Sequence, residues 1–562
     1  MKKLIINQVS ILATLCLSSC FLFKNSDSTD TNSTSSTNTE SSYVEEKINF
    51  YELIPAKTSK IVVPANGETS LEVNKDIGDF NYLQLLTKCN AHFKGEFVYA
   101  NSSKTTQEVS EEFFVEASSQ MNDFRQFLDA YRPGKQSVGK FNKILKSVKF
   151  KNITNETIEI EFGGLNYSDR DIPEEDKEVY IEKDQLKVGM DLLTGGTLTY
   201  LERTEYDGSS VDQVVDREGN VKIGLDLEDT GQLVTKHTNL INIFDAGRQI
   251  QQSYYASVGG YGTTEAEKTA KSNGDGGTQN GYTRNLCRTA DSEGYYWPYN
   301  PVQGGDEKVN FSQIIDFSVT EDTLYAKVRA LDWGASASGG YGNPSENRVT
   351  KSYMENWFHI KDGLLYASNR FIDWNGFTDI DSIPVHNIEM PATYIVHPLH
   401  NYVTYDGASP WTNDANLDKQ AKLSTWKTGS YQTRRHSEDW FGWVNDSDFG
   451  VGVYIPGATY YASGRSSSSV NISDSLNSGA NNSKMAGIYK YNKPDCESDY
   501  QSCYVRNTDY TAPVKAVRLK NYIPLEYTYV VAVDYVKVFR EQFKDIYKSG
   551  EVTNAGLSNW DW

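Results

Sequence analysis

The chain has 562 residues, of which 38% are hydrophobic and 12% aromatic, and its formal net charge is −20 at pH 7. This apolar content suffices for globular cores and excludes a wholly disordered chain. The acidic balance excludes the basic surface that nucleic acids require, so we expect no nucleic-acid partner.

The N-terminus has the form of an export signal. Lys2 and Lys3 precede an apolar stretch that is too short and too interrupted to span a membrane. The stretch ends in LSSC at residues 17–20, which resembles the lipobox of bacterial lipoproteins. The alternative is an ordinary signal peptide that is cleaved near Cys20. We expect a signal peptide over 1–19 and a location at the bacterial cell surface or elsewhere outside the cytoplasm, with lipid at Cys20 as the only membrane contact.

Residues 20–44 are a Ser-, Thr- and Asn-rich tract with almost nothing to bury, which predicts a disordered tether. The remaining chain of about 520 residues favours two to four domains. Cys496 and Cys503 lie close together in a loop-like segment, and a local disulfide between them suits an oxidising exterior. There is no CxxC pair, so we expect no zinc site and no cofactor, although a structural calcium ion in the Asp-rich loops stays open.

The pattern of short β-rich runs predicts an all-β protein. Residues 45–165 read as an accessory β-sandwich that is suited to binding carbohydrate, interrupted by one helix-like segment, QMNDFRQFLDAY, at 120–131. Residues 166–235 read as a connection or as the opening strands of the next domain. Residues 236–550 predict a large antiparallel β domain, and 551–562 a tail.

A helix closes the predicted large domain. Aromatic and aliphatic residues recur at helical spacing from Tyr535 to Tyr547, with Asp534 available as the N-cap and Gly550 as the terminator. No repeat of 20–50 residues is present, which disfavours a propeller or a solenoid.

Several segments of the large domain combine polar and aromatic residues in the way that sugar recognition requires. Sugar rings offer apolar C–H faces that stack on aromatic rings, and hydroxyls that need planar donors and acceptors. The predicted substrate-binding residues are Arg248, Gln251, Gln252, Tyr254, Tyr255, Trp297, Asn300, Gln303, Trp440 and Trp443. Each of these aromatic residues, taken alone, is more often a core residue than a ligand contact. Asp245 and Arg248 are also consistent with an ion pair that orders a loop.

Hydrolysis of a glycosidic bond needs two carboxylates that flank it. The predicted pair is Asp306, which ends the Gly-rich loop PVQGGD, and Glu389, which precedes MPATY. Asp245 is the reserve candidate for a catalytic role. Strand alternation predicts that Gln251 and Ser253 face one way while Ile250, Gln252 and Tyr254 face the other, unless Gly247 hosts a bulge.

Four motifs resemble those of a group of secreted bacterial proteins. They are NLINIFDAGRQIQQSYYA, YNPVQGGD, IEMPATY and WFGWVNDSDFGVGVYIPG, and the third carries Met390 where the group has Leu. The N-terminal stretches LQLLTKCNAHFKGEFVYA and EEFFVEAS resemble the accessory sandwich that precedes the group's core. The resemblance implies a galactose-mutarotase-like supersandwich core and a carbohydrate-linked role, and it chooses no reaction.

The leading hypothesis is a surface-anchored glycoside hydrolase that acts on a polysaccharide or oligosaccharide. The second is a glycan-binding lipoprotein without catalytic activity. The third is a polysaccharide lyase, with Tyr254, Tyr255 or His386 as base and Arg248 neutralising a uronate. A structural or adhesive surface protein is the plainest alternative.

Overall fold

The computed structural model describes the larger part of the chain after residue 47, in ranges that belong to one compact unit, Tyr43–Trp562. The described residues are 48–78, 80, 82–100, 108–128, 144–170, 172, 178–204, 239–243, 247–254, 278–279, 282–283, 301–306, 311–332, 349–374, 386–396, 399, 401–405, 409–412, 418–420, 432–457, 481–488, 508–517, 520 and 522–560. No helix in these ranges is long and apolar enough to cross a membrane.

The N-terminal module is a sandwich of two antiparallel sheets. Its strands are β1 (Tyr51–Pro55), β2 (Ile61–Val63), β3 (Glu68–Asp76), β4 (Tyr82–Cys89), β5 (Phe93–Ala100), β6 (Glu108–Val115), β7 (Ser118–Phe127), β8 (Ile144–Asn152) and β9 (Ile158–Ser168). The five-stranded sheet has the order β1-β9-β4-β7 with β2 beside β9, and the four-stranded sheet has the order β3-β8-β5-β6. The sequence therefore predicts this sandwich correctly.

The large domain consists mainly of two antiparallel sheets and one helix. The strands in its first half are β10 (Glu178–Lys183), β11 (Leu186–Asp191), β12 (Thr197–Arg203), β13 (Ile250–Ser253), β14 (Thr278–Gln279), β15 (Tyr282–Thr283), β16 (Pro301–Val302), β17 (Gln313–Val319), β18 (Thr323–Arg329), β19 (Leu331–Asp332), β20 (Ser352–Lys361) and β21 (Leu364–Asp373). The remaining elements are β22 (His386–Val396), β23 (Asn401–Thr404), β24 (Asp418–Gln420), β25 (Gln432–His436), β26 (Trp440–Val444), β27 (Phe449–Tyr454), β28 (Asn481–Ile488), β29 (Thr508–Val517), β30 (Leu525–Tyr535) and helix α1 (Val536–Ser549). The strands β14 and β15 pair only with each other.

The two large sheets enclose the main hydrophobic core. One has the order β10-β11-β12-β13-β22-β29-β28-β25, with β16 beside β13 and β19 beside β16, and the other has the order β17-β18-β20-β21-β30-β27-β26-β23-β24. Ile250 and Ile388 of the first sheet share this core with Phe358 and Val531 of the second. This confirms the all-β supersandwich, and it makes 178–203 the opening strands of the larger sheet.

The helix-like segment at 120–131 is a strand where the structure describes it, which corrects the prediction. Phe124 and Leu128 lie in the core of the N-terminal sandwich, whereas Phe127 lies in the main core on the opposite face of β7. Apolar residues that serve two different cores on two faces produce a spacing that imitates a helix.

Helix α1 follows β30 directly and packs on the second large sheet through Phe539, Phe543 and Ile546. It ends at Gly550 as predicted, where the left-handed φ of 68° suits glycine. Its N-cap position is Tyr535 rather than Asp534, and the Asp534 carboxylate accepts hydrogen bonds from Arg203 and from the Tyr535 N–H.

The two modules share hydrophobic cores and a partly buried ion-pair network. Tyr353 and Trp374 of the large domain lie in the core of the N-terminal sandwich, while Tyr82 of the sandwich lies in the main core. Arg370 donates to Glu116 of the sandwich and to Glu355 of β20. Burial alone would raise the pKa of Glu355, but Lys327 and Arg370 outweigh it and lower that pKa.

We predict that Glu355 contributes to the acid sensitivity of folding. Because its pKa is lower in the folded state, the contribution is complete at neutral pH and is lost as pH falls below the unfolded value of 4.5. Glu355→Gln should flatten the decline in the free energy of unfolding below that pH, measured by urea titration at several pH values. Glu526→Gln is the control, since Glu526 pairs with the same Arg370 but is 63% exposed; equal flattening by both variants would contradict the prediction.

Candidate functional site

Several predicted residues lie outside the described ranges, and the structure says nothing about them. They are Cys20, Asp245, Tyr255, Trp297, Asn300, Cys496 and Cys503. His386 begins β22, and only its backbone is described. The candidate site is therefore built from the predicted residues that remain.

Strand β13 separates its side chains between two faces, as its alternation predicts. Ile250 and Tyr254 lie in the core between the large sheets. Gln251 and Ser253 therefore face away from that core, on what we call the outer face of the ten-stranded sheet. Alternation is interrupted upstream at Gln249, whose φ of 75° is left-handed, rather than at Gly247.

On the core side, buried amides connect four segments of the chain. Gln303 Nε2 donates to the carbonyl oxygens of Gly195 and Gly196 at 3.0 and 2.9 Å, and Gln303 Oε1 accepts from the backbone N–H of Gln252 at 3.1 Å. Asn356 of β20 donates to Gly196 O at 3.1 Å, and Gln252 donates to Asn356. We call these five residues the amide lattice.

The amide lattice corrects the predicted roles of Gln252 and Gln303. These residues are 0% and 1% exposed, and their amide groups form hydrogen bonds inside the protein. Both residues therefore position strands and loops instead of presenting amides to a sugar. Tyr254 is corrected in the same way: it is fully buried, and its hydroxyl donates to Gln252 Oε1 at 2.7 Å. Burial also raises the pKa of Tyr254 far above its usual range, which disfavours it as a base.

Trp440 and Trp443 are also core residues rather than stacking platforms. Both rings are 0% exposed, and alternation along β26 places Trp443 in the main core and Trp440 beneath helix α1. Trp443 Nε1 donates to Thr511 at 2.9 Å, and Trp440 Nε1 donates to Glu438 at 2.6 Å. Neither ring has a free face for a sugar.

On the outer face, Gln251 holds the loop that leads to Asp306. Its Oε1 accepts from the Gly304 N–H at 2.7 Å, and its Nε2 donates to the carbonyl oxygen of Arg248. Gly305 next adopts a φ of 151°, and Asp306 follows with 1% exposure. Arg248 itself is 5% exposed, and its guanidinium lies 3.4 Å from Asn242 Oδ1.

Glu389 lies on the neighbouring strand β22 with its carboxylate on the outer face. Its neighbours Ile388 and Met390 lie in the main core, so its own side chain points away from that core. Tyr510 of β29 donates a hydrogen bond to Glu389 Oε1, and the Tyr510 ring lies 4.7 Å from that of Tyr394. Tyr510 is not among the predicted site residues, because only the pairing of β22 with β29 brings it to Glu389.

The sheet register brings the two predicted catalytic segments together. Ser253 of β13 is paired with Val302 on one side and with Glu389 on the other. Since adjacent strands are about 4.8 Å apart, the backbone at Val302 lies roughly 10 Å from that at Glu389. Asp306 follows Val302 by four residues, so this distance separates Glu389 from the start of the loop that leads to Asp306.

The described residues include no group of three or more His, Cys, Asp or Glu side chains that could hold a metal ion. Within the same part of the chain, Cys89 is a buried free thiol. The calcium ion considered for the Asp-rich loops stays a prediction.

Comparison with known proteins finds solved structures at low identity and low TM-score. No family model matches the chain, and no curated protein matches it. Among solved structures, the 4-alpha-glucanotransferase from Thermococcus litoralis has 10% identity and a TM-score of 0.27 over 63% of this chain. The chain spans only 37% of that enzyme.

Two further solved structures cover different shares of the chain. A putative mutarotase (YeaD) from Salmonella typhimurium has 7% identity and a TM-score of 0.28, over 64% of this chain and 90% of its own. A carbohydrate binding module of family 29 has 11% identity and a TM-score of 0.16, over 22% of this chain and 90% of its own. The function proposed below depends on this chain's own residues.

We predict that Gln303 is required for stability rather than for ligand contact. Gln303→Ala leaves the buried Gly195 carbonyl and the buried Gln252 N–H without this partner, while Gly196 O keeps its bond from Asn356, and each group left unsatisfied costs about 1–3 kcal/mol. The free energy of unfolding, measured by urea denaturation, should fall by at least about 2 kcal/mol. Gln120→Ala is the control, because Gln120 is an exposed residue of β7, and it should change the free energy of unfolding little. A stable Gln303→Ala protein that has lost only glycan binding would contradict the prediction.

Proposed function

We propose that this chain is a surface-anchored lipoprotein that hydrolyses a polysaccharide or oligosaccharide, with Asp306 and Glu389 as the two carboxylates. The observation that carries the proposal is the register of β13, whose Ser253 is paired with both Val302 and Glu389. Gln251 supports it by fixing Gly304 on the outer face, two residues before Asp306. Lipid attachment at Cys20 and location at the cell surface are part of this proposal.

The chemistry asks for one carboxyl group as acid and a second as base or nucleophile. Carboxyl groups about 5–5.5 Å apart would favour retention of configuration, and a separation of about 6.5–9.5 Å would favour inversion. The Tyr510 hydroxyl gives the Glu389 carboxylate a fixed orientation, which preorganises it for proton transfer or attack.

A glycan-binding lipoprotein without catalysis is the second candidate. One observation favours it: the side chains of Asp306 and Glu389 are each 1% exposed, so both carboxylates also fit a structural role beneath a binding surface. The lyase hypothesis has lost Tyr254 as a base, because that residue is buried in the core. Release of unsaturated products from uronate polymers, read as ultraviolet absorbance, would be its signature.

We predict that Asp306→Asn and Glu389→Gln each lower turnover at least about 100-fold while substrate binding is retained, because acid–base catalysis contributes about 10²–10⁴-fold. The measurement is the release of reducing ends from a polysaccharide panel, with retention on the same polymers read in parallel. Glu526→Gln, an exposed carboxylate on β30, is the control and should keep full activity.

Two outcomes would contradict the hydrolase proposal. If the unaltered protein binds a polymer but releases no reducing ends, the non-catalytic candidate is correct. If turnover occurs and both variants keep it, catalysis uses other residues.

We further predict that Tyr510→Phe lowers kcat about 2–10-fold and changes KM less, since one hydrogen bond is worth about 0.5–1.5 kcal/mol. The phenol acts only through the Glu389 carboxylate that it orients. In the Glu389→Gln background the same substitution should therefore have no further effect on kcat, and additive losses in steady-state assays would refute the positioning role.

A further inference from the structure

A second polar surface lies on the N-terminal sandwich, in a different module from the candidate catalytic residues. Glu52, Asn166, Gln84 and Arg125 are cross-strand neighbours on β1, β9, β4 and β7. Leu83, Leu165 and Phe124, which alternate with them, lie in the core of the sandwich. The four polar side chains therefore form one row on the outer side of the five-stranded sheet, which we call the polar row.

Hydrogen bonds along the polar row hold its groups in place. Asn166 Nδ2 donates to Gln84 Oε1 at 2.8 Å, and Gln84 Nε2 donates to Asp123 Oδ1 at 2.9 Å. Arg125 donates through Nε and Nη2 to the Asp123 carboxylate. In the part of the chain that the structure describes, Arg125 Nη1 and Asn166 Oδ1 have no hydrogen-bond partner, so a donor and an acceptor stay available.

Arg125 is fixed from two sides but remains accessible. Its guanidinium lies 5.3 Å from the ring centroid of Phe50, and Asp123 accepts hydrogen bonds from its Nε and Nη2 atoms. The Arg125 and Asp123 side chains are nevertheless 32% and 41% exposed. A ligand would therefore meet groups whose rotamers are already ordered, which lowers the entropy cost of binding.

An apolar shelf lies next to the polar row. Met121 precedes Asp123 on the same face of β7 and is 42% exposed. A side chain at Gly163 would come within 2.8 Å of Met121 Sδ and 3.1 Å of Leu86 Cβ, so the glycine lets these residues close over the sheet. The surface thus combines planar donors and acceptors with the apolar side chains of Met121 and Leu86.

We propose that the polar row and the Met121 shelf form a second glycan-binding site, selective for neutral polysaccharide. The carbohydrate class of the ligand rests on the function proposed above. Hydroxyl groups would bond to Arg125 Nη1 and Asn166 Oδ1, and the C–H face of a sugar would lie on Met121. Asp123 neutralises Arg125, and Glu52 adds a negative charge, so the site repels uronate and sulfate polymers.

The test measures binding of the full chain to three soluble neutral polymers, a mixed-linkage glucan, a galactomannan and a xylan, with polygalacturonate as the anionic probe. Glu389→Gln is used as the background, so that hydrolysis does not consume the polymers. Arg125→Ala and Asn166→Ala should each weaken binding to the preferred neutral polymer at least about 10-fold by affinity electrophoresis or calorimetry. Polygalacturonate should not bind to this site.

Lys60→Ala is the matched control, because Lys60 forms an exposed ion pair with Glu159 on the same module. Arg125→Lys tests whether weak binding results from misfolding. It keeps the positive charge beside Asp123 but lacks the planar guanidinium group, so this variant should fold and should also bind the neutral polymer weakly. Unchanged polymer binding in both Arg125→Ala and Asn166→Ala would overturn the second site. The surface would then either bind nothing or contact a protein.

Turnover of a soluble oligosaccharide, measured in the Glu389-containing protein, keeps the two proposals separate. If Arg125→Ala loses polymer binding and no variant shows turnover, the second site stands and the hydrolase falls. If turnover occurs and Arg125→Ala binds polymer normally, the hydrolase stands and the second site falls.

Discussion

The arrangement of the candidate site depends on one buried amide. Gln303 donates both of its amide protons to consecutive glycine carbonyls, and its oxygen accepts the N–H of Gln252. Only glycine fits at those two positions: Gly195 has a φ of 69°, and a Cβ there would lie 2.0 Å from Gln303 O. The amide lattice adds to the Gln251 bond with the Gly304 N–H in fixing the loop before Asp306 against β13, and it joins Asn356 of the facing sheet to Gln252.

This constraint divides one motif between two tasks. Gln252 and Tyr254 face the core and hold the sheets together, while Gln251 faces outward and holds the Gly304 N–H. Most of the residues in this motif that have the composition of a sugar-binding site therefore stabilise the fold around the site instead of contacting a ligand. The residues left to act on a ligand are those on the outer face, and Glu389 with its Tyr510 partner is the best defined of them.

The sequence predicts what local chemistry decides and misses what tertiary pairing decides. The strand alternation at 250–254 and the glycine end of helix α1 follow from side-chain spacing and backbone freedom, and both are confirmed. Segment 120–128 is mistaken for a helix because its apolar residues serve two cores. The packing of Trp440 against Phe539 and the contact between Tyr510 and Glu389 depend on partners far away in the chain, and composition carries no signal for either.

The shared cores also bear on how the two proposed glycan sites would cooperate. Gln84 of the polar row is two residues from Tyr82, which lies in the main core and contacts Asp316 of β17. The polar row is therefore fixed to the large domain by packing rather than carried on a flexible linker. The effective concentration of a polymer bound there, measured at the outer face, is therefore set by the fixed distance between the two surfaces. No flexible linker has to be ordered for both surfaces to bind the same polymer. Because that geometry is rigid, only polymers long enough to span both surfaces would gain affinity from holding them together.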